Sequence, residues 1–458
     1  MAIHSDSKQD DSFDLCIVGA GMAGATIAAY LGSKGIKIAL IDRDYSEKKR
    51  IVGELLQPGA VQSLKKMGLL HLLDGIDAQP VHGYALFRNE HKFSISYNKD
   101  DSTDYQGVGL HNGRFLQNIR KAALNNQSVR QFHGTVGNLL EDNNKIVTGI
   151  QYKEKYTREI KTIQAKLTIT CDGFFSTLRK DLSNNVKTIT SFFIGLVLED
   201  CQLPFANYGH VFLSAPTPFI CYPISSTETR MLIDFPGDKA PKKAEITAYI
   251  LNKVMPFLPE EIKACVAKSM EGERYKIMPN HYMPAKPIVR KGAVLLGDAL
   301  NMRHPLTGGG LTAVFNDVFL LSKHLLEMPD FNDSQLIHDK LSQYYKDRQH
   351  ANANVNIMAN ALYGVMSNDL LKKAVFEYLQ KGGENAEVPI TLLAGLNRNS
   401  LTLIKHFFCI YLLCIKMILK ENKCNFTKVF RTAKEAFCIF KPLAFNELKI
   451  SSFTKKHH

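Results

Sequence analysis

The chain has no C-x-x-C pair, and its nine cysteines are scattered and odd in number. That argues against a disulfide framework and against a zinc site, and it fits a reducing compartment. No metal ligand set is expected. No secretory leader is expected either, because residues 1–12 are polar and the first apolar run reads as a strand. No internal repeat or low-complexity segment interrupts the chain, and no run between residues 188 and 284 is long enough to span a bilayer. Acidic residues are in the minority: the formal net charge is +13 over 458 residues, of which 45% are apolar. This is enough chain for two or three domains with a full core. Residues 401–458 hold eleven Lys and Arg against three acids, a net of +8. Those basic residues sit among Phe, Leu and Ile at helical spacing, not in a polar patch. The pattern points to an anionic lipid surface and away from nucleic acid.

What is present is concentrated in two glycine motifs. The first is Gly19-Ala20-Gly21-Met22-Ala23-Gly24. It follows an apolar strand, Phe13 to Val18, and opens a small-residue helix, Ala25 to Leu31. A second strand, Ile36 to Ile41, ends in Asp42. This is the dinucleotide fingerprint in its proper order. Gly19 makes the turn, Gly21 admits a pyrophosphate, Gly24 lets helix pack on strand, and Asp42 is placed to bond a ribose hydroxyl. The second motif runs from Gly297-Asp298 through Arg303-His304-Pro305-Leu306-Thr307 to Gly308-Gly309-Gly310. It follows an apolar strand, Ala293 to Leu296, and opens a helix, Leu311 to Leu326. Glycines admit a flat ligand close to the backbone, and a helix start offers unpaired N–H groups and partial positive charge. That suits a reduced flavin, so both motifs ask for FAD. Only one dinucleotide fingerprint occurs, so a dedicated NADPH domain is not visible.

Between these motifs the chain reads as α/β. A helix is expected from Ala60 to Leu73, an antiparallel hairpin within residues 81–97 and a helix over 112–124. Strands follow over 128–170 and end at Cys171-Asp172-Gly173. A second sheet is expected over 188–284, with strands near Phe192–Leu198, His210–Leu213, Phe219–Pro223 and Arg230–Phe235 and a helix from Lys242 to Phe257. Residues 335–380 read as helical. Two apolar helices close the chain, Leu401 to Leu419 and Val429 to Phe445. Lys405, Lys416 and Lys420 share nearly one face of the first. Such a stripe favours lying in the membrane interface over crossing, since a charge at mid-span costs roughly 3 kcal/mol. Packing of these helices on the body is the alternative.

Three segments resemble the squalene monooxygenase (squalene epoxidase) family: Val52-Gly53-Glu54-Leu55-Leu56-Gln57-Pro58-Gly59, Asn112-Gly113-Arg114-Phe115, and Gly297 to Gly310. Ala361-Leu362-Tyr363, the Gly382-Gly383-Glu384 turn and the apolar tail are also similar to it. Asp42 stands where a Glu is usual, and Ala60 replaces a common glycine. The N-terminal membrane segment of some members is absent, so anchoring would rest on the tail.

The resemblance implies a Rossmann-like FAD-binding domain of the group A flavin monooxygenase type, over 1–80, 105–185 and 285–334. It also implies an inserted antiparallel-sheet substrate domain over 81–104 and 186–284, and a helical, membrane-associated region over 335–458. It implies conversion of squalene to (S)-2,3-epoxysqualene with dioxygen, on the cytosolic face of the endoplasmic reticulum or on lipid droplets. Electrons would come from NADPH through a separate NADPH–cytochrome reductase. At the cofactor, Gly19, Gly21, Met22 and Gly24 would face the pyrophosphate and Asp42 the adenosine ribose. Arg43 and Arg50 would lie near the adenosine and phosphates, Arg114 would bond the pyrophosphate, and Glu54 and Val129 would lie nearby. Asp298 would bond a ribityl hydroxyl, and N–H groups of Gly309, Gly310 and Leu311 would face the flavin. Asp172, Gly173 and Arg179 match a further flavin-hydroxylase motif. Tyr84 and Gln57 would lie at the reacting edge, Val211, Phe212 and Leu213 in the substrate wall, and Pro305 over the flavin. Other readings stay open. Arg43 and Arg50 also read as solvated surface charge, Asp298 as a helix-capping acid, Asp172-Gly173 as a turn and Tyr84 as a core residue. Another flavin hydroxylase, a prenyl-chain reductase and a non-catalytic prenyl-protein-binding module are the competing functions.

Overall fold

The computed structural model describes residues 12–98, 104–214, 216–273, 275–366 and 368–421. The second expected tail helix, Val429 to Phe445, lies outside the described residues. The first layer is a sheet whose parallel core runs in the order Val129–Glu141, Ile38–Asp42, Ser12–Val18, Ile160–Thr170 and Ala293–Leu295. The strand Val147–Glu154 pairs antiparallel with both Val129–Glu141 and Ile160–Thr170. Ser12–Val18 and Ile38–Asp42 read as near-continuous apolar runs because helices cover the sheet. Met22–Gly32 is almost wholly buried, which its small residues allow. Asn112–Leu124 and Gly310–Leu326 pack against it.

The second layer is a seven-stranded sheet. Its order is Tyr275–Tyr282, Thr188–Glu199, Glu228–Pro236, Phe219–Pro223, Gly209–Phe212, Gly83–Arg88 and His91–Ser96. The hairpin expected within residues 81–97 is therefore its edge, and the four expected strands are present within a few residues of their predicted limits. Alternation gives this sheet two apolar faces. Tyr84, Leu86, Phe193, Ile220, Tyr222 and Leu232 turn toward the glycine motifs and the C-terminal helices. Ala85, Phe87, Ile194, Phe212, Phe219, Met231 and Ile233 turn the other way, onto helices between residues 243 and 271.

Two expectations are revised. The helix expected from Ala60 to Leu73 is Pro58–Lys66 followed by a 3-10 turn, Leu70–Leu73, because Gly68 between them takes φ +71°. The helix expected to run to Phe257 is regular only over Lys243–Tyr249 and continues as a π turn and a 3-10 turn. A helix, Glu260–Glu271, and a small sheet of Leu55–Leu56, Gly107–Gly109 and Gln79–Val81 had no counterpart in the pattern.

The C-terminal layer starts with Ser334–Met366, whose Arg348 makes a paired, buried bond to Asp317 of Gly310–Leu326, at 2.9 and 3.0 Å. Asn352 adds a bond of 2.6 Å to the same carboxylate. Asp317→Ala removes the counter-charge of a buried guanidinium, a change that costs about 3–5 kcal/mol. Thermal or denaturant unfolding is expected to show a loss of that size, and an unchanged midpoint would refute it.

Candidate active site

The carboxyl ends of the parallel strands are where ligands sit in folds of this kind, and three motif loops meet there. Gly19 takes φ +98°, and a Cβ on it would lie 2.5 Å from the carbonyl oxygen of Cys171. A Cβ on Gly297, at φ +67°, would lie 3.1 Å from the Ala23 side chain. The fingerprint is thus wedged between the Cys171-Asp172 turn and the Gly297-Asp298 turn. A Cβ on Gly24 would lie 1.8 Å from the Gly19 carbonyl oxygen, so this glycine is demanded by the fold itself. Gly21 differs: nothing lies within 4 Å of a Cβ placed there. Gly310, at the start of the second motif's helix, is equally open.

Arg179 fixes the other two loops. Its buried guanidinium donates to the carbonyls of Ala299 at 2.8 Å, Gly173 at 2.9 Å, Asp298 at 3.1 Å and Phe174 at 3.2 Å. The motif Arg therefore clamps backbone to backbone. Asp172 Oδ2 accepts from the Thr177 N–H at 3.2 Å, while Oδ1 is buried without a partner. Burial raises its carboxyl above the usual range. The Asp298 side chain is exposed at the mouth of the same turn. An orphaned buried oxygen, an open glycine and an exposed acid on converging loops fit a dinucleotide cofactor with hydroxyls and a pyrophosphate.

Asp42 is held in place. Its two oxygens accept from the N–H groups of Ala20 at 2.7 Å and Asp44 at 2.9 Å. Met22, half-buried, opens the fingerprint helix beside it. Arg43, Arg50 and Arg114 are all exposed. The arginine in contact with the fingerprint is Arg120, which sequence reasoning missed. It is buried, and it donates to the carbonyls of Ala20 at 2.8 Å and Ser46 at 3.1 Å. The signal was available: Arg120 falls on the apolar face of Asn112–Leu124 with Leu116, Ile119 and Ala123.

Two expected cofactor residues are placed elsewhere. Val129 pairs with Ile38, at the start of a strand whose far end is Asp42. At about 3.3 Å per residue, it lies on the opposite edge of the sheet from the motif loops. Glu54 is buried, and both its oxygens bond Arg230 of the second sheet, at 2.5 and 3.0 Å. It pins the two layers together.

Gln57 and Tyr84 do meet. The buried Gln57 amide donates to the Tyr84 hydroxyl and, at 2.7 Å, to the carbonyl of Thr307 in the second motif. A third member, unforeseen, completes the group: the Tyr97 hydroxyl donates to Gln57 Oε1 at 2.8 Å. That bond fixes which end of the amide faces Thr307. Burial holds both tyrosine hydroxyls above their usual range, so the group is neutral. Beside it lies a narrow apolar cavity lined by Val52, Leu55, Ile220, Tyr222, Leu232 and Pro305. Gly309 and Leu311 continue the turn, the former against Val355 of Ser334–Met366 and the latter near Gly53.

Of the expected wall, Val211 and Leu213 face this side. Phe212 does not. Strand alternation turns it to the opposite face, where it stacks on Phe87 and Phe219 with centroids 4.8 and 4.7 Å apart. Ile220, Tyr222 and Leu232 take its place, each on the same alternating face as Tyr84. Among the described residues no group of His, Cys, Asp and Glu is arranged to hold a metal.

A model of the squalene epoxidase family matches residues 164–430. Squalene epoxidase 2, mitochondrial, of Arabidopsis thaliana is 42% identical over 90% of this chain and 72% of its own length. Squalene monooxygenase of Mus musculus is 36% identical over 87% of this chain and 70% of its own. Among solved structures, pqsL of Pseudomonas aeruginosa, described as a probable FAD-dependent monooxygenase, superposes with a TM-score of 0.66. It is 18% identical and covers 80% of this chain and all of its own. Its likeness establishes the fold, an FAD-dependent monooxygenase fold.

The glycine geometry separates two substitutions. Gly24→Ala, with its methyl driven into the Gly19 carbonyl, is expected to destabilise the protein even without cofactor. Gly21→Ala is expected to keep the melting temperature of the cofactor-free protein while losing FAD affinity at least tenfold. Melting curves and flavin titration on both variants check this, and equal behaviour of the two would refute it.

Proposed function

The chain belongs to the squalene epoxidase family, and we propose that it epoxidises squalene to (S)-2,3-epoxysqualene with dioxygen at a lipid surface of the endoplasmic reticulum. Electrons reach it from NADPH through a separate reductase. The observation that carries this reading is the neutral Gln57–Tyr84–Tyr97 group set in an apolar wall beside the glycine turn of the second motif. An alkene has no charge to recognise, so a site for it needs hydrophobic walls and orientation without ions.

Bound FAD supplies the oxygen-transfer chemistry, and the protein supplies position and dryness. The open backbone at Gly21 admits the pyrophosphate, and Asp42 bonds the ribose. Asp298 and the partnerless oxygen of Asp172 would hold the cofactor's hydroxyl-bearing chain. The N–H groups of Gly309, Gly310 and Leu311 face the flavin ring at a helix start, where partial positive charge is fixed in place. Gln57 holds the Thr307 carbonyl and so sets the position of that turn. Tyr84 sits at the boundary between the turn and the cavity. The apolar substrate lies between the second sheet and the C-terminal helices, whose Met366, Phe376 and Ile390 share a core with Tyr84 and Tyr222.

Ser400–Glu421 supports membrane contact. Over residues 400–420 it is apolar and long enough to cross a bilayer, with a mean hydropathy of 1.8. One of its faces is occupied by protein: Cys414, Met417 and Ile418 pack on Leu371 and Ala374 of Asp369–Gln380. Leu401, Phe408, Leu412 and Leu419 are exposed and, at intervals of seven, four and seven, lie on one opposite stripe. Lys405, Lys416 and Lys420 flank them and are exposed. A helix packed on one side, greasy on the other and edged with lysine suits lying in the interface plane.

Two outcomes are expected. Detergent-solubilised protein given squalene, FAD, NADPH and dioxygen forms oxidosqualene only when a cytochrome reductase is added. Flavoprotein that oxidises NADPH directly and leaves squalene untouched would move the assignment to another flavin hydroxylase. Phe408→Glu with Leu412→Glu is expected to cut sedimentation with anionic vesicles severalfold without changing detergent-phase turnover. Unaltered sedimentation would refute the interfacial role of this stripe.

A further inference from the structure

A second polar cluster lies in the interior, outside the groups just described. Asp234, Ser191, Asn280 and His304 are each no more than 3% exposed. Ser191, Asp234 and Asn280 come from three adjacent strands of the second sheet, and His304 comes from the glycine motif. Tyr363, from Ser334–Met366, closes the group. One cluster therefore joins all three layers of the molecule.

The proton positions can be assigned. The Leu306 N–H donates to His304 Nδ1 at 3.3 Å, so the ring proton is on Nε2. That N–H faces Ser191 Oγ at 3.1 Å and Asp234 Oδ1 at 3.6 Å. Ser191 donates onward to Asp234, and Asn280 donates to Ser191 at 2.9 Å and to Asp234 at 3.3 Å. The Tyr363 hydroxyl reaches the other oxygen of Asp234 at 3.3 Å. The Tyr363 ring lies flat on the imidazole, with centroids 3.9 Å apart and planes 15° apart. Burial drives His304 below the usual imidazole range, and Asp234 opposes it.

Neighbouring contacts show what this holds. Asn356, Asn360 and Tyr363 stand at i, i+4 and i+7 on one face of Ser334–Met366. Asn356 accepts from Arg303 Nε at 2.6 Å, Asn360 accepts from the His304 N–H at 3.3 Å, and Tyr363 covers the His304 ring. The next residues are Pro305 to Gly308, which border the apolar cavity and the Gln57 amide. The turn is thus gripped from both sides, by Gln57 at Thr307 and by the Asp234 cluster at His304.

We infer that Asp234 and Tyr363 are positioning residues: they lock the imidazole of His304 and thereby hold the Pro305–Gly308 turn in register with the flavin and the substrate wall. This rests on the FAD-monooxygenase reading above. Neither residue is assigned contact with substrate or cofactor. A fixed turn keeps water out, so loosening it diverts reducing equivalents to hydrogen peroxide instead of epoxide.

The test uses full-length holoenzyme with Asp234→Asn, Tyr363→Phe and Tyr363→Leu. Four quantities are read: epoxide and peroxide formed per NADPH, the visible flavin spectrum, bound FAD and melting temperature. Asp234→Asn and Tyr363→Leu are expected to lower the epoxide-to-peroxide ratio at least fivefold per bound flavin and to shift the flavin spectrum. Tyr363→Phe keeps the ring stack and is expected to stay within twofold of wild type. Tyr363 is only partly buried, so its variants give an answer even where Asp234→Asn folds poorly. The inference is overturned if activity falls only in proportion to FAD content or melting temperature, with ratio and spectrum unmoved. It is also overturned if Tyr363→Phe and Tyr363→Leu are equally impaired. If wild-type protein makes no epoxide at all, the monooxygenase reading itself has failed, and the spectrum alone then reports on the turn.

Discussion

The structure depends on backbone meeting backbone at the carboxyl edge of the parallel sheet. Three loops with little side chain between them converge there, at Gly19, at Cys171-Asp172 and at Gly297-Asp298. The approach is so close that a single methyl at Gly24 or Gly19 would overlap a carbonyl oxygen. Such contact leaves backbone amides facing outward, which is what an anionic cofactor requires. It also leaves carbonyls to be satisfied, and this explains why two buried arginines stand there. Arg120 and Arg179 each serve carbonyl groups of the loops: Arg120 bonds Ala20, Ser46 and Asp44, and Arg179 bonds Gly173, Phe174, Asp298 and Ala299. A planar guanidinium with several fixed donors is the side chain able to gather that many acceptors at once.

From this anchor the molecule is built outward by ion pairs between layers. Glu54 and Arg230 join the fingerprint side to the second sheet, and Asp317 and Arg348 join the cofactor helix to the C-terminal layer. Both pairs are buried and doubly bonded. Exposed pairs such as Lys243 with Glu273 add little by comparison, because solvent screens them. A buried pair contributes modestly to net stability but penalises every arrangement in which one partner loses the other. Here that penalty fixes the relative placement of layers whose remaining contacts are apolar.

Much of this was legible in the residues. Glycine spacing, strand, helix and terminal acid placed both motifs, and alternation placed the second sheet, because each signal is local. What escaped is non-local. Nothing around Glu54 announces Arg230, which lies 176 residues away. Arg120 was visible only as a charge on an apolar helix face, and Arg114, next to the glycine, drew attention instead. Phe212 differs from its neighbours Val211 and Leu213 for a local reason. The strand is present, but the two-residue period keeps three consecutive residues from sharing one wall. Val129 stands at the amino end of its strand, and a resemblance at one position carries no information about which end of a strand that position occupies.

The polar groups around the second motif's turn divide by charge. Beside the apolar cavity stand an amide, Gln57, and three phenols, Tyr84, Tyr97 and Tyr222, whose burial disfavours ionisation. The buried carboxylate of Asp234 is set back behind His304 and surrounded by hydroxyl, amide and phenol donors. In a low-dielectric interior a bare carboxylate at the cavity wall would hold water and compete with an apolar ligand. Placed one residue's depth away, the same charge fixes an imidazole proton without touching the cavity. The arrangement gives the rigidity of a buried hydrogen-bond network to a turn that must present a dry surface. The charge therefore sits behind the turn and the neutral Gln57–Tyr84–Tyr97 group in front of it.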